Sequence, residues 1–233
     1  MAQFRGGVRK VVRLALAAAL LGGLAAQGAA AQDPSPAWAM PPDATLVSSL
    51  FFEILRNDQH IGTAHVEVFE ADGALEVRSR TEVFIKFGGA TLYDFFQRAR
   101  ETWRDERLIS YYVNTDDNGV EKRLEVRAGA KTSLLISDGT SVAVSRDIAP
   151  TSLWHVSTLK LGQFFDPMLG LLHDVRISDP SEATIKVRGK STKTSYYTIT
   201  GDIDRKLWYL PNGTLVQLSL VAPDGSVVLY KLQ

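Results

Sequence analysis

Few side chains in this sequence are typed and spaced for chemistry, and spacing decides most of them. There are four histidines, His60, His65, His155 and His173, and no two have the H-x-x-x-H separation of a helical zinc pair. His60 falls in a polar turn and His65 on the outer face of a strand, so both read as solvated. Ser152 and His155 stand three apart, close enough for a nucleophile and its base on one helix. No G-x-S-x-G elbow surrounds the serine, and Ser152 reads better as a helix cap. Asn114, Asp116, Gly119 and Glu125 occupy positions one, three, six and twelve of a calcium loop. The residues after Gly119 nevertheless alternate as a strand and no flanking helices are visible, so a hairpin turn is the simpler reading. Asp202 and Asp204 are two acids in a loop, too common a pair to specify a cation. Neither a metal nor a cofactor is expected from these residues.

The most interesting charge set lies in Thr91–Trp103, T-L-Y-D-F-F-Q-R-A-R-E-T-W. A period of two fits this stretch and a helical period does not. Tyr93, Phe95, Gln97, Ala99, Glu101 and Trp103 share one face; Leu92, Asp94, Phe96, Arg98, Arg100 and Thr102 share the other. Arg98 and Arg100 could present two guanidinium groups to a carboxylate or phosphate, or pair with Asp94 and neighbouring strands on a solvated face. Both faces mix rings with charges, which hints at a polar-lined cavity. Trp103, Trp154 and Trp208 are first of all core fillers. If the interior takes a ligand, Phe95, Phe96, Arg98, Arg100, Trp103 and Trp154 are the residues assigned to it, and no catalytic residue is assigned.

The elements that must position these groups are strands. Turn chemistry recurs at Asn57-Asp58, Asp72-Gly73, Gly88-Gly89, Asn118-Gly119, Asp138-Gly139, Asn212-Gly213 and Asp224-Gly225. Between these turns run alternating segments, the clearest being Leu75–Phe87, with apolar residues at most odd positions and charges at most even ones. About a dozen strands, with turns every 8 to 12 residues or so, predict a mainly β domain: a single antiparallel sheet, strongly curved or closed as a barrel. The pattern breaks after Ile148. There Pro150-Thr151-Ser152 looks like a helix start, and one short helix is expected near 151–161, capped by Thr151 or Ser152. Trp103 to Gly119 and Trp208 to Gly225 also echo one another weakly, at separations of 16 and 17 residues.

Composition sets the compartment. Residues 1–31 read as a Sec signal peptide: Arg5, Arg9, Lys10 and Arg13, then an apolar run from Leu14 to Leu24, then Ala29-Ala30-Ala31 as the cleavage site. The run is shorter than the roughly 20 residues a spanning helix needs, and no Arg-Arg pair marks the twin-arginine route. Residues 32–48, with Pro34, Pro36, Pro41 and Pro42, are expected to form a flexible leader, and 49–233 one β-rich domain. Without its signal peptide the chain has 22 basic residues against 26 acidic ones, a net charge of −4, which argues against nucleic acid and against docking on an anionic membrane. There is no cysteine, hence no disulfide and no lipoprotein anchor. A periplasmic location is expected, with no transmembrane segment in the mature chain.

Several phrases together resemble a known family. They are Phe52-Glu53-Ile54 with Gly62, Arg100-Glu101-Thr102-Trp103-Arg104, Pro150-Thr151-Ser152-Leu153-Trp154, and Gly201-Asp202-Ile203-Asp204 leading to Leu207-Trp208-Tyr209. The set resembles the bacterial exported family known as domain of unknown function 6134, over roughly Leu50 to Leu232. That family usually has an aromatic before the Trp of the helix-start phrase and an Asn after it; here Leu153 and His155 stand in those places. The resemblance implies secretion and a single β-rich domain, and it carries no established activity. The architecture is also loosely similar to periplasmic lipoprotein and lipid carriers, a likeness that transfers function poorly. The leading expectation is therefore an exported protein that holds a lipid, acyl chain or other apolar small molecule inside a curved sheet. An envelope adaptor that binds a protein partner comes second, and an acid/base enzyme using Glu101 or Asp94 last.

Overall fold

The structure, a computed structural model, describes residues 43–88 and 90–233. The expected signal peptide and most of the expected leader lie outside the described residues. Among those described, no helix is long and apolar enough to cross a membrane.

The first half of the domain is a meander of eight strands: β1 (Thr45–Arg56), β2 (Gln59–Ala71), β3 (Ala74–Phe87), β4 (Ala90–Arg104), β5 (Arg107–Asp117), β6 (Val120–Ala128), β7 (Thr132–Ser137) and β8 (Thr140–Ser145). Two-residue turns close most of these hairpins. Asn57-Asp58, Asp72-Gly73, Asp105-Glu106, Asn118-Gly119 and Asp138-Gly139 all have positive φ at both residues. That backbone twist suits the flanking strands and explains why Asn, Asp and Gly sit there. The second half carries β12 (Val175–Ile177), β13 (Ser181–Val187), β14 (Lys190–Gly201), β15 (Arg205–Tyr209), β16 (Leu215–Val221) and β17 (Val227–Leu232). Strand β17 pairs antiparallel with β1, with Phe52 opposite Leu232. The two halves thereby join into one 14-stranded antiparallel sheet, ordered β12-β14-β15-β16-β17-β1 through β8, with β13 beside β12 on β14. The sheet is curved and barrel-like but not closed, because β8 is not paired with β12 or β13.

A three-stranded sheet lies between the halves in sequence: β9 (Ile148–Pro150), β10 (Gln163–Phe165) and β11 (Leu172–His173), with β9 and β10 parallel. Residues 148–172 form a strap that fills the concave side. Phe164 and Phe165 are both fully buried, and Phe165 meets the ring of Tyr111 edge-on at 5.1 Å. At Gly170 a Cβ would lie 3.0 Å from Leu124 and from Leu135, so the strap packs onto β6 and β7. Its other end is tied to β15 and β16. Tyr209 Oη donates to the Leu153 carbonyl, Leu215 N to the Trp154 carbonyl, and Val156 N to the Gly213 carbonyl. The core is this strap packed against inward-facing side chains of the large sheet, including Leu50, Phe52, Ile54, Val77, Leu124 and Leu207.

Two expectations are corrected in detail. The helix near 151–161 is a single 3₁₀ segment, Val156–Lys160, capped by His155 and not by Thr151 or Ser152. The backbone of 151–156 is drawn into pairing with β10 and β16, and Leu153 has φ of 50°, so no helix can begin there. Strand pairing begins at Thr45, opposite Glu70, taking in the last residues assigned to the leader. The described residues form 17 strands: 14 in the one large antiparallel sheet, in keeping with the expected dozen or so, and three in the separate strap sheet. The Trp103 and Trp208 segments are not structural equivalents. Trp103 is buried on the concave side, whereas Trp208 points away from buried Leu207 and Tyr209 and leans on Tyr196, with ring centroids 5.0 Å apart.

Candidate functional site

On the concave face, alternation brings small and polar residues of β2–β4 into line: Ala64, Ser79, Thr81, Gln97 and Ala99. Small side chains there leave space between sheet and strap. A partly open cavity of about 210 Å³ results, walled by Phe52, Val66, Tyr111, Leu218, Leu220 and Tyr230. Its polar lining comes from Ser79, Thr81, Gln97, Thr151, Ser152 and Arg205. Gln97 is held by a 2.9 Å hydrogen bond from its Nε2 to Thr115 Oγ1. Burial pushes up the pKa of the phenols of Tyr111 and Tyr230, and the charges of Glu101 and Asp166 push Tyr111 up further. Both tyrosines therefore stay protonated and can donate a hydrogen bond at neutral pH.

Beside this cavity lies a buried carboxylate. Glu101 is only 1% exposed. Its Oε2 accepts from Trp103 Nε1 at 2.7 Å and from Trp154 Nε1 at 3.2 Å, while its Oε1 and the nearby Ser152 hydroxyl make no hydrogen bond of good geometry. Burial raises the Glu101 pKa to about 7, against the opposing pull of Ser152, Trp103 and Trp154. The carboxyl fixes the two indoles, whose rings meet edge-on at 6.4 Å. On the far side of those rings is a second cavity of about 310 Å³, bordered by Glu70, Leu75, Trp103, Arg104, Trp154 and His155. Trp154 thus stands between the two spaces.

The six residues assigned to a ligand do not form one site. Trp103 and Trp154 come together at the junction of the cavities. Phe95 shares their face of β4 but stacks on Tyr93 near the end of the sheet, with ring centroids 6.5 Å apart. Phe96, Arg98 and Arg100 point to the convex side. There Phe96 lies under the Arg80 guanidinium at 5.1 Å. Arg100 donates to Glu76 Oε2 at 2.6 Å, and Arg78 donates to Glu76 Oε1 at 2.6 Å. That buried carboxylate is bracketed by two arginines, an arrangement that holds strands together and leaves Arg100 engaged.

The remaining candidates resolve into local structure. His155 cannot serve Ser152: its Nδ1 accepts from Ser157 N and its Nε2 lies 3.1 Å from the Asn212 carbonyl. Asp116 Oδ1 accepts from Gly119 N within the β5–β6 turn, and Asp202 Oδ2 accepts from Asp174 N. Among the described residues no group of three or more His, Cys, Asp or Glu side chains is placed to hold a metal ion. Arg205 is the charged residue among the cavity lining that the sequence reading missed. It shares its face of β15 with buried Leu207 and Tyr209, and a charge in that register was the available signal.

The family profile of a domain of unknown function, DUF6134, matches residues 52–233. The chain belongs to that family. No match is found among curated proteins. Among solved structures, the fold is similar to the crystal structure of a β-barrel-like protein of the domain of unknown function DUF1849 from Brucella abortus. The TM-score is 0.57 at 8% sequence identity, over 79% of this chain and 94% of that one. At this identity the likeness concerns the fold, and it agrees with the barrel-like sheet described above.

Proposed function

We propose that this DUF6134 domain is an exported, periplasmic binding protein that holds a small molecule with an apolar body on the concave side of its sheet. The observation that carries this reading is the cavity of about 210 Å³, whose aliphatic and aromatic walls carry a few convergent polar groups. Ligand sites have this composition. Its volume is below the roughly 300–1,000 Å³ typical of pockets for drug-sized ligands, so the occupant is a short amphiphile or the end of a longer one that extends through the open side. A catalytic reading has less support. Glu101 keeps its proton near neutrality, but it does not line either cavity. The signal peptide supports export, and the absence of cysteine suits a fold that does without disulfides.

Native mass spectrometry of the protein purified from its own compartment, followed by denaturing extraction, tests this reading. A stoichiometric organic mass supports it and identifies the occupant. An apo mass, together with no binding of a hydrophobic fluorophore, overturns it and turns attention to an adaptor role, for which the free edge at β8 offers a strand to a partner.

A further inference from the structure

Arg205 differs from the other arginines described above. It lies on the inward face of β15, opposite Leu220, which in turn lies opposite Val228 on β17. The flanking wall on that side is therefore aliphatic. Its guanidinium makes one hydrogen bond, from Nη1 to the carbonyl of Asp204 at 2.9 Å. Among the described residues no carboxylate comes within ion-pair distance of it. The Asp166 and Asp204 carboxylates act on it only through space, and Asp166 Oδ1 is occupied by the backbone N–H groups of Met168 and Leu169. Three other part-buried arginines are paired with acids: Arg78 and Arg100 with Glu76, and Arg56 with Asp224. A largely buried guanidinium facing a cavity without a counterion is costly unless an anion completes it. Its planar array of donors matches a carboxylate or a phosphate ester.

We infer that Arg205 is the anchor for an anionic head group, and that the ligand class of the cavity is a carboxylate- or phosphate-bearing amphiphile. This inference rests on the binding reading above. The head group sits at the Arg205 guanidinium beside the Tyr230 hydroxyl, and the tail runs along Leu218, Leu220 and Phe52 toward Trp154.

The test compares three probes of equal chain length, dodecanoate, dodecyl phosphate and dodecanol, by isothermal titration of the lipid-stripped protein. The wild type is expected to bind at least one of the two anions about tenfold or more tightly than dodecanol, the scale of a charge-assisted hydrogen-bond pair. Whichever anion binds tighter identifies the head group. In R205Q the ratio of anion to alcohol affinity falls to about one, and R205K, which keeps a point charge without the fork, retains part of it. Equal binding of anions and alcohol by the wild type overturns the anchor and leaves the apolar-ligand reading standing. If none of the three probes binds, both are overturned. The wild-type comparison decides the matter even if R205Q fails to fold.

Discussion

Glu101 makes the stability of this domain depend on pH in a specific direction. Burial raises its pKa from 4.5 to about 7 in the folded chain. Between those two values the folded chain holds a proton that the unfolded chain has already released. Stability from this group is therefore fully present below about pH 4.5 and is lost as pH rises through about 7. One pKa unit corresponds to about 1.4 kcal/mol, so the loss between pH 5 and pH 8 amounts to roughly 2–3 kcal/mol. E101Q keeps the shape and an acceptor for the indoles of Trp103 and Trp154 but cannot ionise. Urea unfolding of both proteins, followed by tryptophan fluorescence at pH 5, 6, 7 and 8, isolates the effect, because other titrating groups cancel in the difference. The wild type is expected to lose stability relative to E101Q as pH rises. With urea slopes of about 1–3 kcal/mol per molar, its midpoint should fall by about 1 M relative to the variant over that range. If the two proteins keep a constant difference, to within about 0.5 kcal/mol, from pH 5 to pH 8, the burial argument is refuted.

Two further substitutions test the packing of the sheet. In G62A the new methyl group would lie 2.0 Å from the Glu82 carbonyl oxygen, so β2 and β3 would have to part; a loss of about 3 kcal/mol is expected, read as a lower melting temperature by circular dichroism. R100A removes one of the two arginines on Glu76, which is 4% exposed, and should cost about 2 kcal/mol because Arg78 stays on the other oxygen; chemical denaturation showing no change would mean that the convex charge cluster is not stabilising.

Local chemistry made most of the fold legible. Alternation along Leu75–Phe87 and Thr91–Trp103 follows from side chains pointing to opposite faces of a strand, and in β4 it is clearest over Ala99–Trp103, where buried Ala99, Glu101 and Trp103 alternate with half-buried Arg100 and Thr102. Asn, Asp and Gly pairs marked the hairpins, because only they enter the left-handed region cheaply. The helix start at Pro150-Thr151-Ser152 was misread for a tertiary reason. Thr151 N donates to the Phe165 carbonyl of β10, and the Trp154 carbonyl accepts from Leu215 N of β16, partners distant in sequence. The ligand assignment divided for a related reason. Periodicity separates two faces without saying which is concave, so Phe96, Arg98 and Arg100 were grouped with Trp103 and Trp154.

By itself the amino-acid sequence determined the strand character, the turns, the pairing of Glu101 and Trp103 on one face, and the family. Those are local or pattern properties, set by backbone sterics and a period of two. Only the tertiary structure decided that β17 closes onto β1, that the strap fills the concave side, that Trp154 reaches Glu101 from 53 residues away, and that Arg205 faces a cavity without a counterion. These depend on which distant strands meet and which face turns inward, and that is settled by packing the whole chain.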